Sequence, residues 1–85
     1  MYDYPLEPDW STEEIIEVVG LYNAVEQAYE EGISSIEFME HYRAFTSIAD
    51  SKALQKQLDK AFEEASGYSI YKVFKRSQEE EWVKL

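Results

Sequence analysis

From residue 12 onward, apolar residues recur every three or four positions in four successive stretches, each bounded by residues that start or stop helices. In the first, Ile15, Val18, Val19, Tyr22, Val25 and Tyr29 fall on one face, with Glu13, Glu17, Asn23, Gln27 and Glu31 opposite. Ser11-Thr12-Glu13-Glu14 reads as a capping box, in which Ser11 caps the helix and Glu14 reaches back, with Trp10 and Ile15 at the hydrophobic-staple positions. Gly20 projects onto the polar side, and Gly32 supplies the stop. The same start signature returns at once, with Ser34 as cap, Glu37 three residues on, and Ile33 and Phe38 as the staple pair. Phe38, Met39, Tyr42, Phe45 and Ala49 then form the second stripe. Asp50 or Ser51 caps a third helix, whose apolar face is Leu54, Leu58, Ala61, Phe62 and Ala65 and whose stop is Gly67. Ser69 caps a fourth, lined by Ile70, Val73, Phe74 and Ser77, until Glu81 falls on the same face and the pattern fades.

These stretches predict helices over about 12–31, 35–49, 52–66 and 69–80. The expected fold class is all-α, a compact four-helix bundle in one domain over residues 1–85. A turn of a few residues makes the first two helices antiparallel neighbours. Residues 1–10 hold Pro5, Pro8 and three aromatic side chains, which favours an extended segment lying across the bundle. Residues 79–85 are expected to fray.

Charge changes this picture by dividing the chain. Residues 1–42 carry a net charge of −11, residues 43–78 carry +3 and residues 79–85 carry −2, which together make the overall −10. Such a chain repels phosphate backbones, so no nucleic-acid partner is expected, although Lys72, Lys75 and Arg76 form a local basic cluster. No stretch approaches the ~18 apolar residues of a membrane span, and the first residues lack a basic, then apolar, leader pattern. No membrane partner and a cytoplasmic location are therefore expected. The absence of cysteine removes disulfides and thiolate metal sites, so the core must come from helix packing.

Several segments together carry a resemblance to a known family. They are Tyr4-Pro5-Leu6 leading to Trp10-Ser11-Thr12-Glu13-Glu14, Ala24-Val25-Glu26 with Ala28-Tyr29-Glu30, and Lys56-Gln57-Leu58-Asp59-Lys60 followed by Ser66-Gly67-Tyr68-Ser69-Ile70-Tyr71. In this order the chain, to about Val73, resembles uncharacterised protein family two hundred and twenty-three. The resemblance implies a compact helical bundle in a bacterial cytoplasm. It implies no catalytic residue, cofactor or partner, because the family is one of unknown function.

Candidate chemistry is sparse. His41 is the sole histidine, and Glu37 one turn earlier and Glu40 beside it make the best acid/base or metal-binding group. Di-metal bundles need Glu-x-x-His from two helices, which one histidine cannot supply, so His41 is expected at the boundary of the apolar stripe. Ser11, Ser34 and Ser69 have capping roles, and Ser66-Gly67-Tyr68-Ser69 lacks the spacing of a phosphate loop. No catalytic residue, metal or cofactor is expected. Glu26, Glu30 and Glu31 crowd the C-terminal turns of the first helix, where the macrodipole is already negative. Tyr2, Tyr4, Trp10, Tyr68, Tyr71 and Trp82 are not absorbed by the four stripes. Glu26, Glu30, Glu31, Tyr68, Tyr71 and Trp82 thus make a candidate partner surface. The expected role is a non-enzymatic interaction module that binds a protein partner or a second copy. The alternative is a small metal-dependent or hydrolytic activity around Glu37, Glu40 and His41.

Overall fold

A computed structural model describes residues 3–85. Tyr2 lies outside the described residues. The elements run α1 (Thr12–Glu30), β1 (Ile33–Ser34), α2 (Ser35–Ile48), α3 (Lys52–Ser66), α4 (Ile70–Ser77) and β2 (Trp82–Val83). The all-α class and the four helix starts are as the apolar pattern predicts.

Each helix begins where a serine satisfies an orphan backbone amide. Ser11 Oγ accepts from Glu14 N at 3.2 Å, while the Glu14 carboxylate accepts the Ser11 amide at 2.8 Å, completing the capping box. Ser34, Ser51 and Ser69 accept from Glu37, Leu54 and Lys72 N at 3.1, 3.1 and 3.2 Å. The box expected at Ser34 is only half made among the described residues. There the strand Ile33–Ser34 pairs antiparallel with Trp82–Val83, and Ser35 N donates to Glu81 O at 2.8 Å. Helices α1 and α3 stop at Gly32 (φ 99°) and Gly67 (φ 82°), left-handed positions where a side chain would be strained.

The core is assembled from the inner faces of all four helices. Val18, Leu21, Tyr22 and Val25 of α1, Phe38 and Phe45 of α2, Phe62 of α3 and Val73 of α4 are essentially fully buried. Full burial of side chains of this kind contributes about 1.5–3 kcal/mol each before entropy is counted. Leu21, Ala24 and Ala28 are buried although the helical projection gave that face to Ile15, Val19 and Tyr29, which are half-buried. The innermost face of α1 is therefore turned relative to the one that the apolar spacing predicts.

The N-terminal segment lies across the bundle, as its proline and aromatic content predicts. The Tyr4 ring sits 5.4 Å from Tyr22 and 6.2 Å from Phe62, between centroids, and the Tyr22 hydroxyl donates to Pro5 O at 2.7 Å. The opposite terminus corrects the expectation of fraying. Helix α4 ends at Ser77, not near 80, and the chain turns back so that Val83 is fully buried against Ile33. Leu85 N then donates to Ala28 O at 3.0 Å. A two-residue strand is too short to show a period of two, so the sequence pattern contains no sign of it.

Candidate functional site

Helix α1 delivers Glu26, Glu30 and Glu31 to its C-terminal end, and no basic residue stands in its last turn. Two of these acids are met by tyrosine hydroxyls. Tyr4 Oη lies 3.0 Å from both Glu26 carboxylate oxygens and 2.9 Å from Asn23 Oδ1. Tyr68 Oη donates to Glu30 at 2.8 Å, and its ring stacks on Tyr29 with centroids 4.3 Å apart. Tyr29 in turn accepts from Ser69 N at 3.1 Å, which ties the α3–α4 turn to the end of α1. Burial, and then the charge of Glu30, raises the Glu26 pKa above the usual carboxylate range. The hydrogen bond to Glu30 raises that of Tyr68. At this crowded, negative helix end, neutral tyrosine hydroxyls thus donate to both Glu26 and Glu30.

Trp82 belongs to the same end of the molecule. Its indole lies over Gly32, where an added Cβ would come within 2.7 Å of Cε2 and 2.8 Å of Cζ2. The rest of the side chain is open, at 57% exposure. Five of the six residues expected to form a partner surface, Glu26, Glu30, Glu31, Tyr68 and Trp82, therefore gather around the end of α1. Tyr71 does not join them. It stands on α4 at the mouth of a separate cleft, 59% exposed.

That cleft, about 230 Å³, opens between α2, α3 and α4. Buried Phe45 and Ile70 lie deepest, and half-buried Tyr42 and Phe74, stacked with centroids 4.5 Å apart, line it further. Exposed Lys52 and Lys56 stand at the mouth, and neither joins an ion pair among the described residues. Half-buried Asp59 also lines it and accepts from Ile70 N at 2.8 Å and Tyr71 N at 3.3 Å. Burial raises the Asp59 pKa, and these two backbone bonds oppose the rise. In the sequence Asp59 is one more charge on a solvated helix, with no local sign that it serves the start of another element. The cleft is likewise invisible there, because its walls come from three helices.

The alternative site is dispersed. Glu37 and Glu40 are exposed, and His41 turns toward α1, its Nδ1 3.2 Å from the point where a Cβ on Gly20 would stand. Gly20 therefore faces α2, which corrects its assignment to the polar side of α1. Its missing side chain leaves room for the imidazole at the helix–helix contact. Among the described residues, no three His, Asp or Glu side chains are arranged to hold a metal ion. The basic cluster also makes no ion pair with α1 there; Arg76 pairs with Glu80 at 3.3 Å along its own chain segment. No helix among the described residues is long and apolar enough to cross a membrane.

The whole chain, residues 1–85, matches the family described as Uncharacterised protein family (UPF0223). It is 49% identical to a UPF0223 protein of Bacillus cytotoxicus over 99% of this chain and 94% of that one. A UPF0223 protein of Streptococcus thermophilus is 46% identical over 94% and 86% of the two chains. One of Listeria monocytogenes is 51% identical over 85% and 80%. Match and relatives agree with the resemblance carried by the N-terminal, mid-helix and Ser66–Tyr71 segments, and the chain belongs to this bacterial family of uncharacterised function.

Proposed function

We propose that the protein is a non-enzymatic interaction module that binds a protein partner through the end of the molecule built by Glu26, Glu30, Glu31, Tyr68 and Trp82. The observation that carries this reading is Trp82, a large aromatic side chain that lies over Gly32 yet is 57% exposed, beside the acidic end of α1. Tryptophan is enriched among the residues that dominate binding energies, and a side chain partly packed in the free protein has less freedom to lose on binding. Surrounding carboxylates favour a partner bearing Lys or Arg, by charge complementarity and by cation–π contact with the indole. A cytoplasmic site of action accompanies this reading.

The test is affinity capture with the tagged chain in bacterial extract at low and high salt, wild type against Glu31→Lys and Trp82→Ala. A defined partner retained at low salt, released by salt and lost from both variants is the expected result. Retention of neither another protein nor a second copy of the chain, or equal retention by all three proteins, sinks the reading.

A further inference from the structure

Resting on that reading, we infer that the partner is a second copy of this chain, whose Lys52–Lys56 cleft receives Trp82 and the carboxylates beside it. Size argues first. A cleft of about 230 Å³ is below the roughly 300–1,000 Å³ of pockets that enclose drug-sized ligands, and so suits one anchoring side chain. Chemistry argues second. Buried Phe45 and Ile70 and the half-buried rings of Phe74 and Tyr42 are apolar surfaces that suit an aromatic ring. Charge argues third. Asp59 already accepts two backbone amides, while Lys52 and Lys56 have no ion-pair partner among the described residues. The complement to this site is an aromatic side chain flanked by acids, and Glu79-Glu80-Glu81-Trp82 supplies one, with all four residues exposed.

Apart from Tyr42, the cleft is lined by residues of the +3 segment, whereas the remainder of the chain carries −13, so docking brings opposite local charges together in a molecule that otherwise repels its copies. Trp82 and the cleft are different surfaces of one molecule. The contact therefore either occurs twice, in a twofold pair, or runs head to tail.

Light scattering on the full chain during size-exclusion chromatography, from micromolar to millimolar at low salt, tests this. The expected mass rises with concentration and falls back with salt. Lys52→Glu/Lys56→Glu and Trp82→Ala each weaken self-association about tenfold or more. Mixed together they associate again, because each supplies the surface that the other lacks. Circular dichroism verifies that the variants are folded; should Trp82→Ala unfold, Glu79→Lys/Glu81→Lys takes its place, since both side chains are exposed. A wild type that stays monomeric, association undiminished in Lys52→Glu/Lys56→Glu, or a mixture that fails to associate overturns the inference. A monomer whose Trp82 end still captures a different protein also overturns it, while leaving the interaction reading in place.

Discussion

Two glycines end helices in the left-handed region, and their surroundings separate two effects that usually occur together. At Gly67 an added Cβ meets nothing within 4 Å, so Gly67→Ala is charged only for backbone conformation, about 1–2 kcal/mol. At Gly32 the same strain is joined by collision with the Trp82 indole. Gly32→Ala is therefore expected to cost clearly more than Gly67→Ala, and urea unfolding of the two variants makes the comparison. Equal losses would mean that Trp82 does not rest on Gly32. The need for glycine at both positions was legible in the sequence, because the apolar pattern stops there. What covers Gly32 was not, since Trp82 lies fifty positions away. The carboxylates at the end of α1 divide similarly. Their crowding follows from spacing, whereas the hydroxyls of Tyr4 and Tyr68 reach them only when other segments fold over α1.

Short elements at the C-terminus complete the bundle. Val83 is fully buried in the two-residue strand opposite Ile33, so Val83→Ala is expected to destabilise by about 1.5–3 kcal/mol in denaturant melts. A fraying tail would give no measurable change. Helix α4 has only 8 residues, too few to be stable alone, and its start is held both by Ser69 and by Asp59 from α3. Removing a charged acceptor of this sort costs about 1–3 kcal/mol, so Asp59→Ala should lower stability by that much, and Asp59→Asn by less because one acceptor oxygen remains. Thermal melts of the pair measure it; an Ala variant as stable as wild type would contradict the assigned role. The Ser69 cap can be read from the sequence. Asp59 cannot, because it acts across a turn on a neighbouring helix.

For the whole molecule the dominant long-range term is the net charge of −10. Burial raises the pKa of both Asp59 and Glu26 above their usual 3.8 and 4.5, so each carboxyl binds its proton more tightly in the folded state. Their contribution is complete below those usual values and is lost as pH rises through the raised ones. The melting temperature should therefore increase as pH is lowered from neutral toward those usual values, less steeply in Asp59→Asn, and should also increase with salt at pH 7 as self-repulsion is screened. A melting temperature that falls over this pH range and is indifferent to salt would rule the account out. Tyr22, buried and hydrogen-bonded to Pro5 O, has its pKa raised in the same sense, by its burial above all.

By itself, the sequence determined what depends on near neighbours. Four serine caps, two glycine stops and a three-to-four-residue apolar period set the class and the helix starts, because those forces act within one turn of helix. Only the tertiary structure decided which face of α1 is innermost, how Gly20 receives His41, that the C-terminal residues form a strand, and where three helices leave an apolar cleft. Each of these depends on side chains brought together from distant positions, where shape and charge decide the outcome and periodicity carries no information.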